Sequence, residues 1–244
     1  MHSIQKYEHT RLKCPNMGRK RKLNNAQVLD RILYICKTGC QWSQLPVQGA
    51  SYKTIYHYFA LWSKARVFEN AFYTLANVVS ATARGALVLD TSFIKNVHGS
   101  DVLGSNPTDR GRKGSKVSLL TDSKGTPLCS VLHKANKSDA LTLKHTLETF
   151  KRKVSNAEGF ESLLADKGYD ASHCRSVCEN YRLKPCIPKR RTKEVSSTGR
   201  YVVEQTFGLL DQFRRVRVRY ESLSRNFKSM HFLALSAIVA RRIN

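Results

Sequence analysis

The sequence predicts an α/β domain from residue 84 onward, preceded by a small all-helical region over residues 18–83. Three observations lead there. Before residue 84, apolar residues recur three and four apart, the spacing of helices. Beyond it, apolar runs of strand length alternate with amphipathic stretches of helix length. Two of those runs close on an aspartate, Asp90 and Asp166.

The elements follow in chain order. Residues 1–17 are polar and are expected to form a flexible N-terminus. Asn25 is placed to cap a first helix whose buried stripe is Val28, Ile32, Leu33 and Cys36, and Gly39 is placed to end it. After a turn through Trp42 and Pro46, Ser51 caps a second helix with Ile55, Phe59 and Trp62 on one face. A third helix covers about 67–83. Ala86-Leu87-Val88-Leu89 reads as a buried strand ending in Asp90, and a polar loop spans about 98–114. Strands at 116–121 and 128–132 are joined by Asp122-Ser123-Lys124-Gly125, which is hairpin turn chemistry. Asp139 caps a helix over about 141–153. A strand at 162–165 leads into Asp166, and Asp170 starts a helix over about 172–181. A short strand at 184–187 and a basic loop at 189–193 precede a long helix from about Tyr201. A last helix covers about 229–241.

Charge narrows the function classes. The 244 residues include 42 Lys and Arg against 18 Asp and Glu, a formal net charge of +24, which makes a polyanion the natural partner. On that reading the three N-terminal helices resemble a helix-turn-helix unit, with Lys53, Thr54 and His57 facing DNA and the Arg19-Lys20-Arg21 run beside it. An ordinary three-helix bundle with a solvated charged face explains the same pattern. The seven cysteines form no CxxC pair, so reduced thiols in a reducing compartment are expected, with no structural metal. No apolar run has the length of a membrane span or a secretory signal, and a cytoplasmic, nucleoid-associated protein is expected, or a nuclear one in a eukaryotic host.

Acids are costly in a chain that binds a polyanion, so those at the ends of apolar strands call for a reason. A carboxylate there is held by the sheet and is well placed to ligate a hard divalent cation. Asp90 and Asp166 have this placement. Asp122 and Asp139 read as a turn residue and a helix cap. A third carboxylate comes from the long helix, where Arg200, Glu204, Gly208, Asp211 and Arg215 share one face. An exposed Arg200–Glu204 pair one turn apart would account for Glu204 equally well.

An ordered series of motifs then resembles the DDE transposases of bacterial insertion sequences, in the insertion-sequence-five group of the insertion-sequence-four type. Val88-Leu89-Asp90-Thr91-Ser92 looks like the first-aspartate strand, and Leu164-Ala165-Asp166-Lys167-Gly168-Tyr169-Asp170 like the second-aspartate motif. Gly111-Arg112-Lys113-Gly114-Ser115-Lys116 resembles the family's glycine-basic loop. Ile187-Pro188-Lys189-Arg190-Arg191, followed by Arg200 and Glu204, resembles the segment carrying the third acid, continued by Arg214-Arg215 and Arg219-Tyr220-Glu221. The helical region matches through Gly39-Cys40-Gln41-Trp42 and Leu45-Pro46. The chain departs at Ser197, where relatives often carry Tyr, and at Asp211, where they often carry Lys or Arg.

The resemblance implies a ribonuclease H-like catalytic domain over 84–244, with Asp90, Asp166 and Glu204 holding two Mg²⁺ or Mn²⁺ ions. One ion would activate water or a DNA 3′-OH and the other would steady the leaving oxygen, with Arg200 stabilising the scissile phosphate. It implies DNA as partner, both as element terminal inverted repeats and as target, a homodimer on that DNA, and neither membrane nor small-molecule substrate. The implied phosphate contacts are Arg19, Lys20, Arg21, Lys53, Lys113, Lys116, Lys167, Lys189, Arg190, Arg191, Arg214 and Arg215. Two other readings carry the same charge: a sequence-specific DNA-binding protein, and a metal-dependent nuclease no longer mobile.

Overall fold

The computed structural model describes residues 22–190 and 199–243. The expectations at Arg19, Lys20, Arg21, Arg191 and Ser197 lie outside the described residues. The helical region comprises α1 (Asn25–Thr38), α2 (Tyr52–Lys64) and α3 (Val67–Ser80). The first cap is Asn24, one residue earlier than expected. Its side chain accepts from Gln27 N at 2.8 Å while Gln27 Oε1 accepts from Asn24 N at 2.9 Å, a reciprocal capping box. Gly39, at φ 70°, closes α1 in the left-handed conformation that favours glycine. Ser51 caps α2 as expected, and Ile55, Phe59 and Trp62 are wholly buried.

The α/β part contains β1 (Gly85–Asn96), β2 (Gly104–Ser105), β3 (Lys113–Thr121), β4 (Pro127–Lys134), α4 (Asp139–Lys153), β5 (Phe160–Leu164), α5 (Ser172–Asn180) and β6 (Lys184–Cys186). It ends with α6 (Tyr201–Asp211), a single turn α7 (Arg214–Arg217), β7 (Val218–Arg219) and α8 (Ser224–Ile243). The long strands lie in the order β4-β3-β1-β5-β6. The first three form an antiparallel meander, and β5 and β6 run parallel to β1 through the crossover helices α4 and α5. This is the ribonuclease H-like arrangement.

Two elements are longer than their local sequence suggests. β1 does not stop at Asp90 but continues to Asn96, because Asp90 to Lys95 stay paired with Leu119 to Gly114 of β3. Its polar half is strand by pairing and not by hydrophobic pattern. α8 begins at Ser224, five residues before the expected start. Asp101 accepts from Ser224 N and Oγ at 2.7 and 2.6 Å and also pairs with the buried Arg219, which anchors that first turn.

The helical and α/β parts share one continuous apolar core. α3 lies along α8, with the Phe72 and Phe232 rings 5.5 Å apart. α8 is buried on nearly every side, which suits its lack of a polar face. No described helix is long and apolar enough to cross a membrane. The six described cysteines are free thiols.

Candidate active site

Asp90 and Asp166 come from neighbouring parallel strands. Val88 of β1 pairs with Leu164 of β5, so both aspartates lie two residues beyond that pair at the same end of the sheet. Adjacent strands are about 4.8 Å apart, which makes the two side chains neighbours. Each is fixed by its own backbone: Thr91 N donates to Asp90 Oδ1 at 2.8 Å, and Lys167 N donates to Asp166 Oδ1 at 2.7 Å. The second bond caps a 3₁₀ turn (Lys167–Tyr169) that folds the chain back over the strand end.

The third acid arrives on α6, which packs against β1. Gly125, at φ 78° in the β3–β4 turn, allows this approach. A Cβ there would meet Val202 O at 2.8 Å, and Thr206 Oγ1 donates to Gly125 O at 2.6 Å. Glu204 sits in the first turn of α6. Gly208, one turn on, is exposed with open space above it.

Arg200 joins these groups. Its Nη1 donates to Asp166 Oδ1 at 3.2 Å and its Nη2 to Glu204 Oε1 at 3.4 Å. Its side chain is 12% exposed against 61% for Glu204, so the guanidinium lies inward of the glutamate. Burial pushes the Asp90 carboxyl above its usual range, and Asp166 and Glu204 push the same way, while the Thr91 N–H and Arg200 hold it down. The three acids therefore share one electrostatic neighbourhood.

The donor set suits a hard divalent cation: every candidate ligand is a carboxylate oxygen, and a bound ion would relieve the charge that burial penalises at Asp90. The spacing is not that of a closed cage. Among the described residues no three His, Cys, Asp or Glu side chains stand close enough to hold one ion, and Arg200 links two of the three acids.

Two of the expected phosphate contacts are corrected by the structure. Lys116 is buried, with its ammonium 2.8 Å from Asp139 Oδ1 and 3.1 Å from Lys137 O, so it is a structural cation of the sheet. Arg215 is likewise buried, its Nε donating to Glu221 Oε1 at 2.7 Å. Lys53, Lys113, Lys167, Lys189, Arg190 and Arg214 are exposed. Arg190 also braces the second-aspartate turn, donating to Lys167 O at 3.1 Å and Gly168 O at 3.0 Å.

Two acids read differently from the sequence. Ser138, not Asp139, occupies the cap of α4. Asp139 instead faces Lys116 and accepts from Thr91 Oγ1 at 3.4 Å, which places a fourth carboxylate behind Asp90. Asp170 does not start α5. It binds Arg175 at 2.7 Å and accepts from Arg190 N at 2.6 Å, and these contacts hold its carboxyl below the usual range. The layer formed by Asp139, Thr91 and the buried Tyr169 is missing from the sequence reading. Nothing local in the sequence signals it, because Asp139 and its lysine partner stand 23 residues apart in the chain.

Two aspartates on adjacent strands of such a sheet, with a glutamate on a later helix, are the architecture of DDE domains. Residues 82–239 match the family described as "Transposase DDE domain", and residues 4–72 match "Putative transposase of IS4/5 family". The chain belongs to the DDE transposase family. It is 38% identical over 125 residues to the "Putative transposase for insertion sequence element IS402" of Burkholderia cepacia, covering 48% of this chain. The chain spans about three fifths of that relative, 59% of its length. Among solved structures it is similar to "Mos1 transposase paired-end complex with left transposon end", at 10% identity and TM-score 0.32, over 98% of this chain and 85% of that one. It is also similar to "Structure of Mos1 transposase catalytic domain and Raltegravir with Mg", at 11% identity and TM-score 0.35, over 70% and 93%.

Proposed function

We propose that the protein is a DNA transposase that cleaves DNA at the terminal inverted repeats of its element and joins the freed 3′ ends to target DNA. The observation that supports this most directly is the gathering of Asp90, Asp166 and Glu204 around Arg200 on a ribonuclease H-like sheet. Family membership implies dependence on a divalent metal. Two Mg²⁺ or Mn²⁺ ions held by Asp90, Asp166 and Glu204 would supply Lewis acidity at the attacking and leaving oxygens.

The chain's own residues do the rest. The Thr91 and Lys167 amides each fix one carboxylate oxygen, of Asp90 and of Asp166, at the same end of the sheet. Arg200 exchanges its carboxylate partners for the scissile phosphate when DNA and ions arrive, and stabilises the charge that develops there. Exposed Lys113, Lys167, Lys189, Arg190 and Arg214, together with Arg191, grip the flanking phosphates, and residues 18–83, with Arg19, Lys20, Arg21 and Lys53, read the element end. Cutting at two ends requires two such sites, so the working unit is a homodimer on DNA, acting at the nucleoid or in a nucleus.

The test is a supercoiled plasmid carrying the gene with its native flanking DNA, incubated with protein in Mg²⁺, Mn²⁺ or EDTA. Metal-dependent breaks at the element ends followed by strand-transfer products are the expected result. Binding without breaks in either metal would refute the reading.

A further inference from the structure

A polar cluster backs the acidic site from the other face of β1. Side chains alternate along a strand, so Thr91 and Phe93 point away from the side that carries Asp90. Lys116 of β3 pairs with Phe93, and its ammonium lies 4.7 Å from the centre of that ring. The same ammonium is 2.8 Å from Oδ1 of Asp139, the first residue of α4.

Asp139 touches more than its lysine. Thr91 Oγ1 donates to Asp139 Oδ1 at 3.4 Å, and the N–H of the same threonine donates to Asp90 Oδ1 at 2.8 Å. The second oxygen, Oδ2, lies against the turn that follows Asp166, where a Cβ on Gly168 would meet it at 3.4 Å. Tyr169, next to Gly168, is buried, and α4 packs on this turn. Thr142 Oγ1 donates to Asp139 O at 2.6 Å, which holds the backbone that carries the carboxylate. One side chain therefore reaches both the residue that fixes Asp90 and the turn that fixes Asp166. An ion pair that only neutralises Lys116 needs neither contact. Lys116 also balances the Asp139 charge, so the pair contributes position and not net charge behind the acids.

We propose that Asp139 is a positioning residue for the metal site, setting the separation of Asp90 and Asp166 through Thr91 and the Gly168 turn without ligating an ion. The proposal rests on the metal-dependent function given above. The Thr91 hydroxyl contact is a long one, so the expected effect is about tenfold, the low end for groups that support metal ligands from behind.

The experiment uses the full chain and two readouts: Mn²⁺ affinity without DNA, from electron paramagnetic resonance of free Mn²⁺, and the Mn²⁺ concentration giving half-maximal cleavage of element ends. Urea midpoints are measured in parallel. The deciding variant joins Lys116→Met to Asp139→Leu. It removes one charge of each sign and strands neither, so folding stays close to wild type. Mn²⁺ affinity is nevertheless expected to fall about tenfold, and the half-maximal Mn²⁺ concentration to rise by the same factor. Thr91→Val alone, which removes the hydroxyl, weakens Mn²⁺ binding several-fold, and Thr91→Ser restores it. Added to the double variant, Thr91→Val brings no further loss, because its acceptor is already gone.

A folded double variant with the wild-type half-maximal Mn²⁺ concentration overturns the proposal and leaves the pair a role in folding alone. Equal losses from Thr91→Val with and without Asp139 overturn it too. If the double variant unfolds, Thr91→Val decides, and an unchanged half-maximal Mn²⁺ concentration there is fatal. A wild-type chain that cuts at no Mn²⁺ concentration sinks the function proposed above, and this proposal with it.

Discussion

Arg200 Nη1 stands 3.2 Å from Asp166 Oδ1 while Nη2 of the same guanidinium reaches Glu204, so one cation holds the second and third acids together. A guanidinium there competes with any divalent ion for the same oxygens. Arg200→Ala is expected to tighten Mn²⁺ binding to the DNA-free protein several-fold, read by electron paramagnetic resonance of free Mn²⁺. The same variant loses about 10²–10³-fold in cleavage rate, because the positive group facing the phosphate is gone. Unchanged or weaker Mn²⁺ binding would show that the bridge does not compete.

Removing the acids separates chemistry from binding. Asp90→Asn, Asp166→Asn and Glu204→Gln are each expected to lower cleavage by at least about a thousandfold, since metal-assisted stabilisation contributes several kcal/mol to the barrier. Affinity for element ends in EDTA stays at the wild-type level. Asp90→Asn also keeps or raises the melting temperature, because folding disfavours the charged form at that position. Near-wild-type cutting in any one variant removes that residue from the site.

The Lys116–Asp139 pair is expected to be a structural support. The Lys116 side chain is 6% exposed and that of Asp139 is 36% exposed. Asp139→Leu strands a buried ammonium and should cost about 2–4 kcal/mol in urea unfolding, somewhat below a fully buried pair. Adding Lys116→Met recovers most of that loss. A double variant no more stable than Asp139→Leu alone would contradict the pairing argument.

Two buried histidines set an acid limit on stability. Burial holds His231 down to about 4 and His133 down to about 3, from an ordinary value of 6.5. Both rings are neutral in the folded protein, His231 bonded to Ser130 Oγ at 2.8 Å and His133 to Ser118 Oγ at 3.0 Å. Their contribution is complete above pH 6.5. Below it the unfolded chain takes up protons that the folded chain refuses, so stability falls progressively toward pH 4 and 3. Each ring contributes up to about 1.4 kcal/mol per pH unit. Urea midpoints from pH 7.5 to 5 should drop accordingly, and His231→Gln should reduce the slope. A flat profile would refute the assignment.

DNA affinity should be steeply dependent on salt, with a strongly negative log–log slope from counterion release. Lys53→Ala and Arg214→Ala, both exposed, should each make that slope shallower by about one. Lys116→Met should leave it unchanged, because its ammonium is not at the surface.

Much of this was legible in the sequence, and the misses share a cause. Asp90 and Asp166 stood out because an apolar run ending in an acid is rare in so basic a chain, whereas helical spacing left Glu204 open to a plain ion pair with Arg200 and only the family resemblance singled it out. The length of β1 was hidden because Thr91, Ser92 and Lys95 are strand residues through their pairing with β3, and pairing is not local information. Lys116 and Arg215 were misread for a similar reason. A one-dimensional charge pattern does not say which cation faces an internal acid, and the partners, Asp139 and Glu221, had other roles or none. Asp139 was explained too easily by its place before an apolar helix.

The junction between the helical region and the rest restricts how the protein can be altered. A Cβ on Gly39 would come within 2.9 Å of Arg214 Cβ, Cys36 Sγ lies 3.4 Å from Met230 O, and Phe72 rests on Phe232. Residues 22–80 are therefore not a detachable reading head. Expressed alone they would bare the seat of α8 and aggregate, and a graft from a relative would require redesign of α7 and α8 as well. On the proposed role of residues 18–83, a new element-end preference is more accessible by changing exposed side chains of α2 such as Lys53 than by exchanging modules.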